Sequence, residues 1–108
     1  MSNPISSSSA AAPVAAYSQA VEAGDLVFVS GQIPLNPENG ELVAETIEAA
    51  TAQSLRNVTR VLEAAGLGLE HVVKATVFLL DSGDYAGMDA PYRTTVPEPF
   101  PAREAVFV

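Results

Sequence analysis

The stretch TIEAATAQSLRNVTRVLEAAG, residues 46–66, decides how the rest of the chain must be arranged. Ile47, Ala50, Ser54, Val58, Val61, Leu62 and Ala65 recur at spacings of three and four, and Leu55 widens the stripe they draw. That period predicts a helix from about Thr46 to Ala65 with one apolar face. Glu45 and Glu48 sit at its N-terminal end, where the helix dipole favours negative charge. Gly66 follows as a residue able to take the left-handed conformation that closes a helix. A one-sided helix of this length has to cover a sheet or another helix.

Outward from the helix, the candidate sheet is visible on both sides. Leu26-Val27-Phe28-Val29, introduced by Gly24-Asp25 and closed by Gly31, reads as a strand. Residues 33–40, IPLNPENG, read as a loop with a turn at Asn39-Gly40, since Pro34 and Pro37 each remove a ladder donor. Leu67 to Val73 is a connector with a short helical turn. Lys74 to Leu80 is a second strand, whose mainly apolar content predicts burial on both faces and a central place in the sheet. Asp81 to Asp84 is turn and cap chemistry, and a second helix is expected from Asp84 toward Tyr92. Pro91 should end or kink it, because proline in a helix interior costs about 3 kcal/mol. Pro97, Pro99 and Pro101 impose a stiff extended approach to a third strand, Ala102 to Val108, with Arg103, Ala105 and Phe107 on one side and Val106 and Val108 on the other. The order implies an α+β or α/β domain with helices on one sheet face.

The chain has 108 residues, which fits one domain, and 48% hydrophobic positions, enough for a core that buries roughly 65% of the unfolded surface. Residues 1–12, rich in Ser and Ala, are expected to form a flexible lead-in ahead of a single domain over 13–108. Without cysteine there is no disulfide framework, thiolate metal site or thiol nucleophile. No apolar run approaches the ~20 residues of a membrane span, and the N-terminus has neither the basic nor the long apolar region of a signal peptide. A cytoplasmic protein is the default. With 5 basic against 13 acidic side chains and a formal charge of -8, the chain is a poor match for nucleic acid.

Few side chains offer chemistry. His71, the single histidine, lies in the connector beside Glu70 and reads as an exposed or capping residue. The acidic residues have no metal-ligand spacing. Arg103 stands on a short strand behind a proline-stiffened approach. Its planar fork of donors suits one carboxylate, and spacing alone leaves that role open beside a structural ion pair. Tyr17 reads by itself as an ordinary half-buried aromatic.

Taken together, YSQAV (17–21), VSGQIP (29–34), NPENG (36–40), QSLRNV (53–58), EAAG (63–66), VVKATVFL (72–79) and FPAR (100–103) resemble the Rid family of reactive intermediate deaminases, also called the YjgF family. The likeness runs over nearly all of the chain from Tyr17 onward, and SGQIP followed by FPAR at this separation is its most specific part. The resemblance implies a chorismate-mutase-like α+β subunit, a mixed sheet with two helices packed on one face, assembled into homotrimers with clefts at the subunit boundaries. It implies hydrolysis of enamines and imines such as 2-aminoacrylate to 2-keto acids and ammonia, without metal or organic cofactor. A non-catalytic trimer that binds 2-keto acids is the other function compatible with it. Arg103 matches the family arginine that clamps the substrate carboxylate, with a backbone N–H near Ala105 as second donor. Tyr17 matches the cleft tyrosine, and Ser30 and Gly31 match the pocket wall.

Three departures from the family pattern bear on these expectations. The family continues for about twenty residues past FPAR, the length of one more strand and its turn, and carries there a glutamate that positions water. This sequence has no residue to match it, so the last strand is expected to be missing and the chain to be an incomplete Rid sequence. Ala15-Ala16 replaces the usual Gly-Pro before Tyr17. Asp89 stands where asparagine is common, and a negative charge near the cleft would oppose a carboxylate substrate.

Overall fold

In the computed structural model, which describes residues 2–108, the long helix α1 runs Ile47–Ala64. The Thr46 side chain caps it by accepting the Ala49 N–H at 3.0 Å. At its far end Gly66 has φ +75°. The Gly66 N–H donates to Glu63 O and the Leu67 N–H to Leu62 O, at 3.0 and 2.9 Å, a Schellman closure that satisfies the last carbonyls.

Five strands surround it. Strands β1 (Ser2–Ile5), β2 (Ala20–Ala23) and β3 (Leu26–Val29) form an antiparallel ribbon, with Ile5 opposite Ala20 and Ala20 opposite Val29. Strands β4 (Lys74–Leu79) and β5 (Ala102–Phe107) pair in parallel, with Ala75 opposite Arg103 and Val77 opposite Ala105. The sheet is mixed as a whole, but within one chain it stands as two pieces, because among the described residues no strand bridges the ribbon to the parallel pair. Both helices cover the same side. Helix α2, Tyr85–Thr95, packs with α1 over β4 and β5, around Leu79, Met88, Tyr92 and Val96. Val61 of α1 closes a second core with Ala10 and Ala20, against which Ile5, Val27 and Val29 pack. Thus α1 joins two apolar clusters that the sheet does not connect.

Four expectations need correction. Residues 2–12 do not wait for a first strand: Ser2–Ile5 pair with β2, and Ala10 is buried. The cause is Gln19, buried beneath them, whose Oε1 accepts the Ser7 N–H at 2.6 Å and whose Nε2 donates to Ala11 O at 2.8 Å. Strand β4 is not covered on both faces, since Ala75, Val77 and Leu79 point inward while Phe78 is 67% exposed. Its near-continuous apolar run supplies one face to the core and leaves the other uncovered. Helix α2 does not end at Pro91 but continues through it to Thr95, and the carbonyl left without a proline N–H partner belongs to Gly87, whose missing side chain lets Ile47 of α1 come close. Finally, α1 buries Gln53 and Asn57 along with Val61 and Leu62. Asn57 Nδ2 donates to Ile33 O and Leu35 O at 3.2 and 2.9 Å, and its Oδ1 accepts from Gln53 Nε2. Asn57, steadied by Gln53, thus holds the proline-broken loop after β3, whose backbone pairs only through an isolated Leu35–Leu42 bridge.

Candidate functional site

The parallel pairing of β5 with β4 puts Arg103 and Ala105 on the helix-covered side, below α2. On α2, Tyr85, Asp89, Tyr92 and Arg93 fall on one face, at i, i+4, i+7 and i+8. Arg103 reaches that face. Its Nη1 donates to Asp89 Oδ1 at 2.9 Å and its Nη2 to the Tyr85 hydroxyl at 2.7 Å. Its guanidinium carbon lies 4.6 Å from the centre of the Tyr92 ring and 5.4 Å from that of Tyr85. Aromatic faces beneath and hydrogen bonds at the fork therefore fix the group's plane. Only 16% of the Arg103 side chain is exposed.

Asp89 is shared. Its second oxygen, Oδ2, accepts from Arg93 Nη2 at 2.7 Å, so one carboxylate spans two guanidinium groups. The Arg93 hydrogen bond, then that of Arg103, holds the Asp89 carboxyl below the ordinary aspartate value of 3.8. Burial acts against the Arg103 charge, but the hydrogen bonds and fields of Asp89 and Tyr85 outweigh it and raise its pKa above the usual arginine value. Burial raises the Tyr92 pKa, the Asp89 charge adds to that, and Arg103 opposes it. The Tyr92 hydroxyl is buried without a hydrogen-bond partner. Asp89, Tyr92, Arg93, Phe100, Pro101 and Arg103 line an open cleft of about 230 Å³. Its floor is aromatic, and two guanidinium groups with one carboxylate between them stand around it, an arrangement that can take up a small organic anion.

Ala105 follows Arg103 by two residues on β5, on the same side of the strand. Ala102 and Val108 donate their N–H groups to Val73 O and Leu79 O of the β4 side. N–H directions alternate along a strand, so that of Ala105 points away from β4, toward the free edge of β5. The structure thus brings together Arg103, Asp89 and the strand that carries Ala105. Tyr17, Ser30 and Gly31 do not line the cleft of the same chain. Tyr17 is 43% exposed, Ser30 donates its hydroxyl to Ser18 O at 2.6 Å, and Gly31 faces open space. They belong to the segments flanking β2 and β3, across the break in the sheet.

Two contributors, Tyr85 and Arg93, escape a reading of the sequence. Helical spacing to Asp89 was the available signal, since Tyr85 precedes it by four residues and Arg93 follows by four. His71 has the capping role expected of it, its Nδ1 accepting the Gly68 N–H at 3.1 Å. Among the described residues no group of three or more His, Asp or Glu side chains converges as metal ligands would. A wider hollow near α1, of about 650 Å³, includes Arg56 and Arg60, both exposed, with Arg60 paired to Glu63 at 3.1 Å.

Comparison with known proteins now places the chain. Residues 7–108 match the family model described as endoribonuclease L-PSP. The 2-iminobutanoate/2-iminopropanoate deaminase of Escherichia coli K12 is 42% identical over 111 residues, covering 100% of this chain and 86% of that protein. A RutC family protein of Pyrococcus horikoshii is 46% identical over 96 residues, covering 89% of this chain and 76% of its own length. Among solved structures, RidA from an Antarctic Psychrobacter superposes with a TM-score of 0.94 at 40% identity, over 98% of this chain and 85% of that one. Escherichia coli TdcF with bound serine superposes with a TM-score of 0.92 at 34% identity, over 98% of this chain and 85% of that one. With its family motifs, its α+β architecture and these relatives in agreement, the chain belongs to the Rid family, in the group whose model carries the endoribonuclease L-PSP description.

Proposed function

We propose that the protein is a cytoplasmic hydrolytic deaminase of reactive enamine and imine intermediates, such as 2-aminoacrylate, and that it works as a homotrimer. One observation carries this reading: a single arginine, stacked on Tyr92 and pinned by Asp89 and Tyr85, faces a small cleft with N–H donors to spare. The deaminase name of the Escherichia coli relative and the serine bound by TdcF, an amino acid with its own carboxylate, support the same substrate chemistry.

In this reading the substrate carboxylate docks on Arg103, and the Ala105 N–H supplies a second donor. The imine carbon beside that carboxylate is then held at a defined place, and such positioning supplies several kcal/mol of barrier lowering. Water adds to the imine carbon through its oxygen, and the nitrogen gains the protons. The C–N bond breaks and ammonia leaves, with the C=O of the 2-keto acid formed in its place. Tyr17, Ser30 and Gly31 lie outside the cleft of their own chain, and in a trimer the neighbouring copy would supply them. The uncovered sheet face, with Leu26, Phe28, Phe78 and Leu80 all more than half exposed, is the surface such an assembly would bury. Nucleic acid is the least favoured substrate, since the charge is -8 and His71 is occupied with its own turn.

The second reading, a trimer that binds 2-keto acids without turning them over, draws on a specific feature of the cleft. Asp89, the carboxylate among its lining residues, is held ionised between two arginines, a poor state for taking a proton from water. Ammonia release from 2-aminoacrylate generated in situ decides between the two. Release above the buffer rate establishes the deaminase, whereas keto-acid binding without release establishes the binder. Replacing Arg103 by Ala removes a charge-assisted clamp of about 1.5–3 kcal/mol, so keto-acid affinity falls about 10- to 150-fold with the circular dichroism unchanged. Full affinity in that variant would remove Arg103 from the site.

A further inference from the structure

Resting on the reading of the Arg103 cleft as a carboxylate site, we infer that Asp89 determines which acids the site accepts. It holds the cleft at one net positive charge and so selects acids with one carboxylate over acids with two.

The inference comes from the charges that line the cleft and from how they are shared. Arg93 and Arg103 bring two positive charges and Asp89 brings one negative charge, while Tyr92, Phe100 and Pro101 are neutral. Each Asp89 oxygen takes a different guanidinium, at 2.7 and 2.9 Å, so the carboxylate compensates half of each arginine rather than cancelling one. Arg103 gives one N–H to Asp89 and one to Tyr85, which leaves part of its fork for a ligand. A substrate with one carboxylate brings the cleft to neutrality. A second carboxylate on the substrate would meet Arg93, whose guanidinium already faces Asp89 Oδ2, and would leave one uncompensated negative charge beside an aromatic wall. Charge of that kind is expensive where water is partly excluded. Asp89 is ionised at neutral pH, and its two arginine partners only deepen that preference.

A pair of probes equal in chain length isolates the effect: 2-oxopentanoate, with one carboxylate, and 2-oxoglutarate, with two. Calorimetric titration of the full chain is expected to show tighter binding of 2-oxopentanoate. Asp89→Asn keeps the shape and one acceptor oxygen but takes the cleft to two positive charges. The ratio of the two affinities then moves toward 2-oxoglutarate on the order of tenfold. Arg93→Gln lowers the charge to zero and moves the ratio the opposite way, and this variant serves should Asp89→Asn fail to fold. A purely structural role for Asp89 would change both affinities alike. A ratio that stays within about twofold of the unaltered chain in the folded variants, with binding still lost in Arg103→Ala, overturns the role of Asp89 and leaves the cleft reading intact. Binding of neither acid, or binding that survives Arg103→Ala, overturns the cleft reading and this inference with it.

Discussion

Arg103 could not have been assigned a surrounding from its neighbours in sequence, since what fixes it comes from eighteen to eleven residues earlier, on α2. Its expected alternatives, ion pair and carboxylate clamp, prove compatible: the ion pair with Asp89 orients the fork, and the remaining donors can serve a ligand. The same pairing has a consequence for acid stability. Asp89 titrates below 3.8 in the folded chain, so the unfolded chain binds its proton first as pH falls. The stabilisation is fully present above the unfolded value and is lost as pH drops through the lower folded value. Chemical denaturation followed from pH 6 to pH 2 is expected to show this loss, and Asp89→Asn to flatten that part of the acid limb. An unchanged limb in the variant would mean that the two arginines do not hold the carboxylate in solution.

Among the elements, α1 was legible nearly to the residue because three independent signals coincide: a 3.6-residue apolar period, acidic residues at the N-terminal end and a Gly66 closure. Its buried Gln53 and Asn57 were not legible, because Asn57 binds carbonyls of a loop more than twenty residues away and Gln53 in turn bonds to Asn57. Helix α2 carries the opposite lesson. Local propensity argued that Pro91 should break it, and packing of Met88, Tyr92 and Val96 against Leu79 keeps the turn beyond it helical. Tertiary burial of three large side chains, at about 1.5–3 kcal/mol each, exceeds the cost of one helix-interior proline. Pro91→Ala is therefore expected to stabilise the fold by about 1–3 kcal/mol, measured as a rise in the urea midpoint with an unchanged slope. A fall in the midpoint would show that the ring itself is a packing element.

At the scale of the whole molecule, the two-piece sheet leaves one long face with large apolar side chains in the open. Phe28, Phe78 and Leu80 are 60%, 67% and 84% exposed, an arrangement that a lone subunit has no reason to keep. Native mass measurement is expected to find three copies, and Phe78→Asp to move the population to single chains without loss of helical signal. Assembly that survives the aspartate would place the subunit contacts elsewhere. What residue order determined alone is the two helices, three of the five described strands and the family motifs, because periodicity, helix-end residues and turn chemistry act over a few residues. What tertiary structure decided is which of those pieces meet. The Gln19 latch on residues 7–11, the β4–β5 pairing and the sharing of Asp89 between Arg93 and Arg103 each join groups brought close only when the chain closes on itself. Such contacts depend on distance in space, and in the linear chain nothing records it.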